Sequence, residues 1–193
     1  MMAKNPGSLR LFYALWPDDA TASRLQQLQT PMHGRRIPYA NLHMTLVFLG
    51  QQPAALLPDL KDILARLPRT ELTLTLDRVG YFPRNRIAWT GPRHTPEALE
   101  ALHARLVRDL VDRKVAFNAQ HSYKPHVTLA RDAALPQDLC FDPIVWNVTQ
   151  AALVQSTTTA EGSIYRLLAT RALDKDVWVP DEARQAGVEA PRA

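Results

Sequence analysis

A chain of 193 residues, 46% of them hydrophobic, is long enough for one large domain or two small, intimately packed lobes with a real core. No apolar run approaches the ~18 to 20 residues of a membrane span, the opening MMAKNPGSLR lacks the apolar segment of a secretory signal, and a lone Cys140 cannot close an internal disulfide, so a cytoplasmic protein is expected. The net charge of +4, from 23 mostly arginine basic residues against 19 acidic ones, permits a polyanionic ligand without demanding one.

RLFYALWP reads as an opening strand ended by Pro17, and DDATASRLQQLQT follows as a helix with Asp18 or Asp19 available as its cap. After the loop PMHGRRIPYA comes the apolar strand NLHMTLVFLG, and PAALLPDLKDILARLP is a helix. ELTLTLDRVGYF alternates like one half-exposed strand, and RIAWTGP is another. In HTPEALEALHARLVRDLVDR, Thr95 is the expected cap, Pro96 takes the first helical position, and Leu99, Leu102, Leu106 and Leu110 line one face. KPHVTLAR is a strand, followed by two strand-like runs, IVWNVTQAALVQST and SIYRLLATRAL. Cys140, within DLCFD, reads as core filler, and residues 1–8 and 181–193 as flexible ends. This order of elements fits an α+β chain with helices outside largely antiparallel sheets.

Two of the strands share a pattern. His43 and Thr45 sit two residues apart in one, His126 and Thr128 in the other, 83 residues later. Residues at that spacing on a strand emerge from the same face, so each histidine shares a patch with its threonine. One such pair is most simply structural; a duplicated one suggests two similar lobes facing each other. Two histidines can divide the work of breaking a phosphate ester, one as base and one as acid, because imidazole titrates nearest neutral pH. A threonine hydroxyl can hydrogen-bond a non-bridging phosphate oxygen and stabilise the charge that develops there. Zinc is the competing reading, but neither motif contains HExxH, clustered Cys and His, or a carboxylate, so no metal and no cofactor is expected. Phosphate loops of the GxxxxGK[ST] kind and GxSxG elbows are absent too. His33, His94 and His121 lie in loop-like contexts and read as surface residues, and His103 as a solvent-facing helix residue.

HMTL and HVTL resemble the two HxTx signatures of the 2H phosphoesterase superfamily. RLFYALWP, NLHMTLVFLG, KPHVTLAR and LVQSTTTAEGSIYRLL occur in the order seen in its bacterial RNA 2′,3′-cyclic phosphodiesterase, or 2′-5′ RNA ligase-like, family, covering Leu9 to Leu173. The resemblance implies one bilobal domain over residues 9–173, with two pseudo-twofold-related, mainly antiparallel sheets flanking a central cleft across which the motifs face. It implies metal-independent hydrolysis of a 2′,3′-cyclic phosphate on an RNA end or a nucleotide to a 2′-phosphate. A compact bilobal cleft works as a monomer, so a monomer without an obligate protein partner is expected, and without an apolar span no membrane. By that resemblance His126 is the base and His43 the acid, Thr45 and Thr128 hold the phosphate, and Phe48 and Arg131 contact the base.

Phe48 and Arg131 each follow their histidine by five residues. Strict alternation puts them on the far face, so each strand must bulge, twist or end first; core packing for Phe48 and a solvated strand end for Arg131 are the alternatives. Ser156 and Tyr165 fall in a family-like S…G..Y pattern and read as cleft support or as turn residues. Arg35 and Arg36, before the first motif strand, read either as polar loop residues or as RNA-backbone contacts. Two alternatives to cyclic-phosphate hydrolysis stay open: 2′-5′ RNA ligation or cleavage of other phosphodiesters by the same residues, and an RNA-end binding module without catalysis.

Overall fold

The computed structural model describes residues 7–118, 123–134, 136, 139–159 and 162–174. In chain order these form β1 (Ser8–Leu15), α1 (Asp19–Leu28), β2 (Arg35–Arg36), β3 (Met44–Pro53), α2 (Leu57–Ala65), β4 (Thr73–Leu76), β5 (Arg78–Phe82), β6 (Ile87–Gly91), α3 (Glu97–Asp112), β7 (Val127–Arg131), β8 (Ile144–Asn147), β9 (Gln150–Thr159) and β10 (Gly162–Ala172). Of the expected flexible ends, only Gly7 and Ser8 lie among the described residues, and Ser8 is already paired with Pro53 in β1.

The sheet runs β10-β9-β1-β3-β7-β6-β5, with β2 added on β7, and every pairing is antiparallel. It consists of two halves. β10, β9, β1 and β3 make one, and β7, β6, β5 and β2 the other; between β3 and β7 a single residue pair, Met44 with Val127, joins them. The α+β, two-lobed architecture expected from the sequence is thus present, with the half-sheets meeting at a seam.

Helices cover one face of the sheet because only that face offers them an apolar layer. Leu11, Tyr13 and Leu15 of β1 point into it, and Phe12 and Ala14 point away, as strand alternation requires. Leu99, Leu102, Leu106 and Leu110 of α3 are all buried in that layer, as their spacing predicts. Each such burial removes enough apolar surface to contribute about 1.5–3 kcal/mol. Two buried glutamines tie the loops down: Gln29 donates to the carbonyls of Ile37 and Leu129, and Gln52 to those of Leu49 and Ala116. The other face is helix-free and carries a small cluster of Phe12, Ala14, Ala152 and Val154, with Trp16 and Tyr165 against it.

Four expectations need correction. The run from Glu71 to Phe82 is two strands, because Asp77 turns out to accept the Arg93 N–H at 2.8 Å while β4 pairs with β8 and β5 with β6. IVWNVTQAALVQST also splits, β8 going to the small two-stranded sheet and β9 to the large one. In both runs the alternation slips by one residue at a polar pair, Asp77–Arg78 and Thr149–Gln150, but such a slip does not tell a bulge within one strand from a change of sheet. Helix α3 starts one residue late: Pro96, extended at ψ 141°, is the cap whose carbonyl takes the Leu99 N–H at 2.9 Å, and Thr95 stays outside. Cys140 is exposed, since Leu139 and Phe141 on either side supply the packing against the core. Asp18 does cap α1, accepting the Thr21 N–H at 2.7 Å.

Candidate active site

Met44 and Val127, opposite each other at the seam, are fully buried on the helix side. The residues flanking them therefore emerge on the helix-free face: His43 and Thr45 from one half, His126 and Thr128 from the other. One pair of strand residues thus gathers both motifs.

Beyond the threonines each strand carries an extra residue. Thr45 pairs with Ala14 and Val47 with Tyr13, leaving Leu46 without a partner; Thr128 pairs with Trp89 and Ala130 with Ala88, leaving Leu129 without one in β6. These are β-bulges at equivalent positions, and each reverses the alternation once. The bulges return Phe48 and Arg131 to the face of the histidines, which resolves the offset of five. Phe48 pairs with Phe12 and is 59% exposed, so it is no core residue. Leu129's carbonyl accepts both the Ile37 N–H at 2.9 Å and Gln29 Nε2 at 2.8 Å, which anchors the second bulge.

The two imidazoles are held alike. His43 Nδ1 lies 2.7 Å from the Asn41 carbonyl oxygen and His126 Nδ1 2.7 Å from that of Lys124, each two residues upstream. A carbonyl only accepts, so Nδ1 carries the proton of the neutral ring and Nε2 keeps its lone pair. The Thr45 hydroxyl donates to His43 Nε2 at 3.1 Å. Each ring thus presents the nitrogen on which a proton can be taken or delivered.

Their walls differ. Trp16 stacks on His43 at 5.5 Å and 8°, Phe12 lies 4.9 Å away, and Tyr165 meets the ring edge-on at 5.2 Å. Against His126 stand Phe82, edge-on at 5.1 Å, and Trp89 at 6.1 Å, with Arg78 5.5 Å over the Trp89 ring. Burial is the main reason that the His43 pKa falls to about 4, helped by the positive charges of His126 and Arg131 and opposed by the Asn41 hydrogen bond. The His126 pKa is also lowered, by burial first and then Arg131, against the Lys124 hydrogen bond. Arg131 is therefore near enough to act on both rings, and the two histidines on each other.

Sequence reasoning left Tyr165 between cleft support and a turn role, and missed Phe12, Trp16, Phe82 and Trp89. Trp16 and Phe12 share the parity of Ala14 on β1, the strand neighbour of the first motif; that parity was legible, the neighbour was not. Trp89 lies flat on Gly80, where a Cβ would come within 2.1 Å of the indole. His103 is not solvent-facing: it stacks on Tyr123 at 4.0 Å, and partial burial lowers its pKa. His33 and His94 are exposed, and His121 lies outside the described residues. Among the described residues no three His, Cys, Asp or Glu side chains converge as metal ligands do, and no helix is long and apolar enough to cross a membrane.

A family model described as the 2′-5′ RNA ligase superfamily matches residues 17–160. The chain belongs to this superfamily. A Thermus thermophilus relative named RNA 2′,3′-cyclic phosphodiesterase is 32% identical over 176 residues, 83% of this chain and 88% of its own. An Escherichia coli relative of the same name is 38% identical over 104 residues, 54% of this chain and 58% of its own length. The crystal structure of E. coli LigT complexed with 3′-AMP superposes with a TM-score of 0.74 at 27% identity, covering 88% of this chain and 99% of that one. The resemblance read from the two HxT motifs is thereby borne out, and with it the expectation of an enzyme. The superfamily's match takes in both motifs, from just after β1 to the end of β9.

Proposed function

We propose that this chain hydrolyses the 2′,3′-cyclic phosphate at an RNA end, or on a nucleotide, to a 2′-phosphate. The observation that carries the reading is the seam: two histidines with their Nε2 atoms unprotonated, and two threonine hydroxyls, emerge on one face around Met44 and Val127. His126 Nε2 takes a proton from water as its oxygen bonds to phosphorus. The bond from phosphorus to the 3′-oxygen breaks, and His43 delivers a proton to that oxygen. Thr45 and Thr128 hydrogen-bond the non-bridging oxygens, where negative charge grows. Phe48 stacks on the terminal base and Arg131 lies over its other face.

The depressed His43 pKa does not oppose an acid role. An anionic phosphate seated beside the ring offsets the burial and the neighbouring positive charges that disfavour imidazolium in the empty cleft, so His43 gains its proton together with the substrate. The names of the relatives and the 3′-AMP bound to the E. coli neighbour support the substrate class. The superfamily's description also favours a second reading, the sealing or opening of 2′-5′ linkages, which asks the same acid, base and phosphate contacts of the same residues.

The test is incubation of the purified protein with nucleoside 2′,3′-cyclic phosphate in the presence of chelator, followed by product analysis. Nucleoside 2′-phosphate is the expected product. Persistent absence of hydrolysis, or a 3′-phosphate product, would overturn the proposal.

A further inference from the structure

Strand β2 is only two residues long, yet it places Arg35 directly opposite Arg131. Residues opposite each other in an antiparallel pair share a face, so Arg35 lies on the face of the two histidines. Like charges at such positions repel, and a sequence that keeps them there has a compensating anion to account for. Asp132 supplies only part of one: its carboxylate is 3.6 Å from Arg35 Nε, both groups are more than half exposed, and the Arg86 guanidinium stands by the Asp132 carbonyl at 3.5 Å. Two arginines thus stand opposite each other, with one exposed carboxylate beside Arg35.

The placement of Arg35 is built in. Gly34 has φ +105°, and a Cβ on it would come within 2.6 Å of the Arg131 carbonyl and 2.8 Å of Ala133 Cα, so only glycine lets β2 lie this close to β7. From there Arg35 reaches across the seam, its Nη1 standing 3.7 Å from where a Cβ on Gly162 in β10 would be. Arg36 goes the other way. It stands opposite Ala130, and its Nη2 donates to the Thr30 carbonyl at 2.8 Å, beside the end of α1. Of the two adjacent arginines, one is tied to the backbone behind the sheet and the other is presented at the site.

We propose that Arg35 binds the phosphodiester joining the terminal nucleotide to the rest of the RNA strand, so that the site takes an oligonucleotide in preference to a cyclic mononucleotide. The inference rests on the hydrolytic reading above. The terminal base lies between Phe48 and Arg131, one strand position from Arg35, and the phosphate on that nucleotide's 5′ side is the next anion along the chain. A guanidinium offers it a two-pronged hydrogen bond. A mononucleoside 2′,3′-cyclic phosphate has no such group and gains nothing from Arg35.

The experiment compares a nucleoside 2′,3′-cyclic phosphate with a dinucleotide ending in one, for the wild type, Arg35→Ala and Arg35→Lys. Arg35→Ala should raise KM for the dinucleotide about tenfold with kcat kept, leave the mononucleotide unchanged, and be partly rescued by Arg35→Lys. A dinucleotide with a neutral methylphosphonate linkage should lose the same factor on the wild type and nothing further on Arg35→Ala; this arm holds even if a variant folds poorly. Equal losses on mono- and dinucleotide, or no loss on either, would overturn the subsite and leave Arg35 as the partner of Asp132. Should the wild type hydrolyse neither compound, the hydrolytic reading fails, and the subsite is judged separately from binding of 2′-phosphorylated di- against mononucleotide.

Discussion

The two halves of the site use one backbone device and finish it with different chemistry. In each, a histidine precedes the strand with Nδ1 on a carbonyl two residues back, a threonine follows, a leucine bulges, and the next outward side chain lies five residues after the histidine. The first half ends in Phe48 and surrounds His43 with Phe12, Trp16 and Tyr165. The second ends in Arg131 and meets its histidine edge-on with Phe82 and, farther off, Trp89. The repeated part sets geometry and tautomer, which both proposed roles require. The unrepeated part sets charge and polarity, and that is where the proposed acid and base differ.

The largest effect comes from breaking the repeated part. His43→Ala and His126→Ala should each lower kcat by a factor on the order of 10² to 10⁴ while leaving the fold intact, since both side chains lie outside the helix-side core. The double variant should be little worse than either single one, because the proposed reaction uses the two as a unit. Steady-state rates on the cyclic mononucleotide check this, and unchanged activity in either variant would remove that residue from its role.

How far this device can be read from sequence depends on which interactions are local. His43, Thr45, His126 and Thr128 stand out because two residues on a strand share a face whatever the strand pairs with. Leu46 and Leu129 do not stand out as bulges: an extra residue exists only relative to a partner strand, and neither β1 nor β6 can be assigned as that partner from periodicity. The five-residue offset of Phe48 and Arg131 is the one trace the bulges leave, legible as a contradiction rather than a solution. Arg35 opposite Arg131 is invisible for the same reason, since nearly a hundred residues separate them. Apolar spacing gave α3 its face, but it could not place the sheet change at Asp77, where a side chain accepting the Arg93 N–H decides.

A smaller effect separates the halves by charge. For a histidine whose folded pKa lies below its unfolded value, the unfolded chain binds the proton more readily, so stability is present above about pH 6.5 and is lost as pH falls toward the folded pKa. With His43 at about 4, that window runs from roughly 6.5 down to 4 and amounts to about 3 kcal/mol if the whole shift is realised. His43→Gln should flatten the decline in denaturant-measured stability across that window. His126→Gln should act in the same direction, because the His126 pKa is lowered for the same first reason. The kinetic counterpart is that kcat/KM, which follows the empty cleft, should have its optimum at lower pH than kcat, which follows the complex holding an anionic phosphate. Coincident optima, with no flattening in His43→Gln, would mean that the aromatic wall leaves His43 as well solvated as an exposed histidine.

The smallest effect tests whether the walls act independently. Gly80 and Trp89 are opposite each other in the β5–β6 hairpin, and an alanine methyl on Gly80 would stand 2.1 Å from Trp89 Cζ2 and 2.4 Å from Cε2. The indole has to leave its place against Phe82, 5.3 Å away, and swing out from under Arg78. Overpacking of this kind costs about 1–3 kcal/mol of stability, which thermal unfolding of Gly80→Ala measures. With Trp89 displaced, water reaches one side of His126 and its pKa should rise back toward the ordinary value, because desolvation is the first cause of its depression. His43 should titrate as before, since Phe12, Trp16 and Tyr165 all belong to the other half. NMR titration of the two rings separates the outcomes: a shift confined to His126 means that each half tunes its own histidine, whereas an equal shift in both would mean that the seam couples them into one environment.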